Sequence, residues 1–112
     1  MTYNNGVTEP DRDPVNYRFE RGAYNVHYLH APHDLLTRAF GNDGNNSRDD
    51  YKSMAQWIIP TSHGDVEVYD YKVGKCYDPD GLERHEITEW HIQGNDEAIK
   101  IVLDLMHKAD KE

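Results

Sequence analysis

The sequence predicts an α+β domain: an antiparallel sheet of three to five strands, with a short helix and a C-terminal helix packed on one face. Three observations carry this. Several segments alternate with period two and are rich in aromatic and β-branched residues, which reads as strand. Ala98, Ile99, Val102, Leu105 and Met106 form an apolar stripe at spacings of three and four, which reads as an amphipathic helix. The order strands, short helix, strands, long helix suits a sheet covered by helices on one side. At 112 residues the chain has the length of one domain. Val, Ile, Leu and Phe account for only 21 of the 112 residues, so the core is modest and the eight Tyr and two Trp must supply much of its apolar area.

Taken in order, residues 1–16 hold Asn4-Asn5-Gly6, Pro10, Pro14 and several acids, and read as a flexible arm. The domain is expected over 17–108, with a flexible tail at 109–112. Tyr17 and Phe19, then Tyr24, Val26 and Tyr28, alternate with polar neighbours and predict strand. Pro32 suits the first turn of a helix running to about Phe40, with Leu35, Leu36, Ala39 and Phe40 on its apolar face and Gly41 at its end. Residues 41–50 read as an exposed loop. Asp43, Asn45, Ser47 and Asp49 suggest calcium spacing there, but Arg48 stands where the loop needs Gly and Met54 where it needs Glu. Residues 54–59 predict a strand that Pro60 stops, 65–73 a second strand and 83–93 a third, with a reverse turn at Asp78-Pro79-Asp80-Gly81. Asn95 is the expected N-cap of the last helix, with Asp96 and Glu97 where the helix dipole favours acids and His107, Lys108 and Lys111 where it favours bases.

The net charge is −9 and it is unevenly spread: residues 61–97 carry ten acids and three bases. Such a segment repels phosphate backbones, because nucleic-acid affinity rests on Lys and Arg displacing counterions. Direct nucleic-acid binding is therefore not expected, whereas attraction to a basic protein surface is. No apolar run approaches the roughly 20 residues of a membrane span, and no secretory leader is recognisable. The single Cys76 excludes an internal disulfide framework, so a cytoplasmic setting is expected.

Four groups of residues invite chemistry. His27, His30 and His33 have a ligand-like spacing, but in a strand the first two point to opposite faces, so they are weak metal candidates. His85, Glu89 and His91 share one face of the predicted third strand, yet strand rise separates the two histidines by about 20 Å. Asp70 lies among Val66, Val68 and two tyrosines. A carboxylate there must be paired if it is buried, which makes it a candidate functional acid or a structural one. Tyr69, Tyr71, His85, Glu89 and His91 are expected on the sheet face away from the helices, where tyrosines give contact area at low entropy cost. No phosphate-binding or nucleophile-elbow motif occurs. No cofactor and no catalytic residue are assigned.

Helix, three antiparallel strands and helix over 32–108 resemble the layout of double-stranded RNA-binding domains. Those domains open their last helix with basic residues. Here Asn95-Asp96-Glu97 stand there, and RNA binding is not implied. Trp57-Ile58-Ile59-Pro60-Thr61, Gly64, the run 66–72 (Val-Glu-Val-Tyr-Asp-Tyr-Lys) and Trp90-His91-Ile92 with Gly94 are similar to small tailed-phage proteins of unknown function. That resemblance implies a phage-encoded, non-enzymatic binder that inhibits or modulates a host protein in the host cytoplasm. The expected contact residues are Asp65, Glu67, Tyr69, Tyr71, Glu83, Glu86, Glu89 and His91, facing a basic partner surface. A homodimer paired through an edge strand is also compatible. Two further readings stay open: a small-ligand or nucleotide module stacking on Tyr69, Tyr71 and Trp90, and a metal-dependent enzyme built on the histidines.

Overall fold

Strands at Arg18–Glu20 (β1), Val26–His30 (β2), Gln56–Thr61 (β3), Gly64–Tyr69 (β4) and Glu89–Gln93 (β5) form one sheet in the order β1-β2-β5-β4-β3, with every pairing antiparallel. Helices occupy His33–Phe40 (α1) and Asp96–Asp110 (α2). This computed structural model describes residues 16–43 and 52–111. The predicted arm before Asn16, most of the 41–50 loop and the calcium spacing within it lie outside those residues.

Alternation along the strands sorts the side chains. Leu29, Trp57, Val66, Val68, Trp90 and Ile92 turn to one face and are buried under Leu35 and Leu36 of α1 and Ala98, Ile99, Val102 and Met106 of α2. The two tryptophan rings meet edge to face at 5.3 Å. Each indole N–H is satisfied by a backbone carbonyl near an end of α1: Trp57 Nε1 donates to Gly41 O at 2.9 Å, and Trp90 Nε1 to Ala31 O at 3.0 Å. Indoles therefore carry the core and also hold both ends of the short helix, which suits a chain poor in Leu and Val. α2 starts as its sequence predicts, with the Asn95 side chain accepting from Ala98 N at 2.8 Å. It runs on through Asp110, past the expected boundary at 108, and Ala109 is buried. Asn16 bonds the Asp110 carboxylate through both its backbone N and its side-chain amide. Among the described residues no helix is long and apolar enough to cross a membrane.

Three expected strands are shorter than their sequence patterns, each for a local reason. Tyr24 and Asn25 take φ of 57° and 64° and close a two-residue hairpin turn with Val26 N on Ala23 O, so β2 begins only at Val26. β2 then turns His27 and Leu29 inward and Tyr28 outward. The expected third strand over 83–93 begins only at Glu89. Before it, Glu83 and Glu86 each cap the other's backbone N–H and close a 3-10 helix at Arg84–Glu86. The expected second strand stops at Tyr69 rather than Val73, and Asp70 is the reason.

Asp70 is fully buried and its carboxylate is an acceptor for chain rather than for a cation. Met54 N lies 2.8 and 2.9 Å from its two oxygens, Ala55 N 2.8 Å from Oδ1, and Ser53 Oγ 3.2 Å from Oδ1. The anion thus fastens the entry to β3 onto the exit of β4, and the backbone turns away at once, with Lys72 at φ 63° donating its N–H to Lys52 O. Of the two roles its position left open, functional acid or structural acceptor, these bonds support the structural one. Asp70→Asn puts an amide N–H among donors, and loss of bonds to a buried charged acceptor costs about 1.5–3 kcal/mol each. A destabilisation of about 3 kcal/mol is expected by urea unfolding, with little change in the m-value.

Candidate functional site

The helices cover one face of the sheet, and the strands' other side chains form the open face. Register lines them up in rows. Glu20, Tyr28, His91, Tyr69 and Gln56 stand side by side across all five strands. Arg18, His30 and Glu89 form the row on one side, and Val26, Gln93, Glu67 and Ile58 the row on the other. Four carboxylates (Glu20, Asp65, Glu67, Glu89) and one guanidinium (Arg18) lie on the strands of this face, so its charge is negative.

His91 sits at the centre. The rings of Tyr28, Tyr69 and Tyr71 each lie 5.3 Å from it, at interplanar angles of 88°, 55° and 37°. Partial burial among these rings pushes the His91 pKa below the ordinary imidazole value, because a charged ring there would lose hydration without gaining a counter-ion. Tyr69 is nearly covered, while Tyr28 and Tyr71 keep about two-fifths of their surface exposed. Beside them is a hollow of about 120 Å³, lined by Tyr28, His30, Tyr71, Val73, Glu89, Trp90 and His91. His30 Nε2 lies 3.1 Å from Glu20 Oε1, and Arg18 Nη1 lies 3.3 Å from the same oxygen. The His30 hydrogen bond, with help from Arg18, holds the Glu20 carboxyl below its ordinary range. No such partner meets the Glu89 carboxylate among the described residues.

Of the expected contact residues, Asp65, Glu67, Tyr69, Glu89 and His91 do share this face, and Tyr71 joins it by leaning on His91. Glu83 and Glu86 do not, because their 3-10 helix lies off the sheet and each is spent on the other's backbone. The Glu83 carboxylate also takes Lys75 Nζ at 3.1 Å. His85 sits in the same turn, so the expected row of His85, Glu89 and His91 does not exist. Trp90 points into the core and is 1% exposed, which removes it as a stacking platform. The spaced histidines do not converge. His27 is buried on the helix side, its Nδ1 accepting from Gly22 N at 2.9 Å, and His30 faces the open side. His33 lies at the start of α1 against Trp57 and Trp90, its Nε2 3.4 Å from Asp43 Oδ2. Among the described residues no group of three or more His, Cys, Asp or Glu side chains is placed to hold a metal ion.

Tyr28, His30 and Glu20 were missed by sequence reasoning. Alternation within 24–30 puts Tyr28 and His30 on a common face, but only the pairing of β2 with β5 sets that face beside His91, and no local pattern announces that pairing.

A histidine whose pKa is depressed by folding is destabilising when it must charge. The stability it preserves is present above the unfolded imidazole value, about pH 6.5, and is lost as pH falls through that value toward the folded one. Between about pH 7.5 and pH 5.5, the urea midpoint of the native chain is therefore expected to fall further than that of His91→Gln. Equal falls in the two proteins would show that His91 does not contribute.

No protein-family model, curated protein or solved structure matches this chain.

Proposed function

We propose that the open sheet face binds the basic surface of a protein partner, and that the chain acts as a stoichiometric, non-enzymatic binder. The observation that carries this reading is the row of tyrosines around His91, left uncovered by the helices and flanked by Glu67 and Glu89. Aromatic rings on a face where acids outnumber bases suit a partner of the opposite sign: the rings supply buried area, and the field speeds encounter. The net charge of −9 supports the same choice of partner and disfavours direct contact with nucleic acid. The resemblance to small tailed-phage proteins extends the reading to a phage-encoded modulator of a host protein. A small-ligand module has less support, since Trp90 is turned inward and the hollow is smaller than the 300–1,000 Å³ or so of usual ligand sites.

The test compares native protein with Glu67→Lys/Glu89→Lys as baits in a bacterial lysate, and adds Asp104→Lys on the exposed side of α2 as a control. A stoichiometric partner is expected on the native and control baits. It should be released by salt, because exposed charge pairs are screened, and be lost from the double variant. A partner held equally by all three baits, or none on any of them, would sink the proposal.

A further inference from the structure

We infer that the hollow beside His91 is a seat for the guanidinium of one arginine side chain. This rests on the proposed docking of a basic partner and names the group that anchors it. Size comes first. About 120 Å³ admits one side-chain head group and not a nucleotide or other drug-sized ligand. Chemistry comes second. The walls are the half-exposed rings of Tyr28 and Tyr71 with the His91 imidazole, and π-faces attract a weakly hydrated cation. Glu89 is the one acid among the lining residues, and no described cation pairs with it. The Glu20 carboxylate one row away is already bonded to His30 and Arg18, so Glu89 supplies the charge. A planar fork of N–H donors matches a carboxylate and stacks on an aromatic ring in one pose, whereas an ammonium offers a point charge alone. The chain itself shows that a ring here draws a cation. Lys72 Nζ stands 5.2 Å from the centroid of Tyr71 and 5.6 Å from that of Tyr77, and Lys72 does not line the hollow.

The groups that face His91 fit this occupant. β2 contributes Tyr28 and His30, β4 contributes Tyr69, the chain after β4 contributes Tyr71, and β5 itself contributes Glu89. Burial keeps the central imidazole neutral at neutral pH, so the floor of the hollow does not repel a cation.

The test is a titration of the full chain with N-acetyl-arginine amide, followed by NMR of the His and Tyr ring signals, with the lysine and norleucine analogues run alongside. Saturable shifts at His91, Tyr28 and Tyr71 are expected with the arginine probe, weaker shifts with lysine and none with norleucine. Glu89→Gln should weaken the arginine probe about tenfold, and Asp104→Asn should leave it unchanged. Tyr28→Leu, checked for an intact amide spectrum, should weaken it too. Shifts that do not saturate, that centre elsewhere, that match those of lysine, or that survive Glu89→Gln would overturn the assignment. If a partner is captured through the open face while the arginine probe fails, the docking reading stands and this one falls. If the probe saturates the hollow while the lysate gives no partner, the docking reading falls and the guanidinium seat stands.

Discussion

Pairing of β2 with β5 is the contact from which the rest of the molecule follows. It joins residues 26–30 to residues 89–93 across most of the chain and turns two hairpins into one sheet. On one side of that seam Leu29 lies opposite Trp90 and begins the core. On the other, Tyr28 lies opposite His91 and begins the open face. The strand period of two makes these inseparable, because a slip of one residue would expose Leu29 and bury Tyr28. The same register therefore decides what holds the helices and what meets a partner.

The chain builds this seam with few aliphatic residues. Trp57 and Trp90 compensate by filling the space under α1 and by donating to the carbonyls at its two ends. One pair of residues thus supplies apolar area, shape and polar satisfaction together. Asp70 has the complementary role at the far side of the sheet, where a buried anion collects the N–H groups of a segment with no ladder partner. Each solution places a polar group in the interior only where a backbone group answers it.

Much of this was legible in the sequence where the signals are local. The α2 stripe, its Asn95 cap, the strands around Trp57 and Val66, and the placement of Tyr69, Glu89 and His91 on one face all follow from period and capping. What was not legible depended on interactions that compete with period. Residues 83–93 read as one strand, yet Glu83 and Glu86, three apart, cap each other and close a helical turn instead. The pattern through Tyr71 and Val73 continues past Tyr69, yet the demand of Asp70 for donors ends the strand. Tyr24 looks like the start of β2, yet with Asn25 it makes the tight turn. The site was half legible for the same reason: the residues on β4 and β5 could be placed from their own alternation, while Tyr28, His30 and Glu20 needed a pairing some sixty residues away in sequence.

The distance spanned by the β2–β5 seam has a kinetic consequence. The β3–β4 hairpin closes a two-residue turn, whereas the seam must first close a loop of nearly sixty residues, and the entropy of that closure has to be met before its contacts form. Local contacts of the hairpin favour its early formation, and the hollow between Tyr28 and His91 comes into being only when the seam closes. An opening confined to β1 and β2 would erase the hollow while leaving β3, β4 and β5 paired, so the ability to bind would report on a sub-global event rather than on the unfolding of the whole chain.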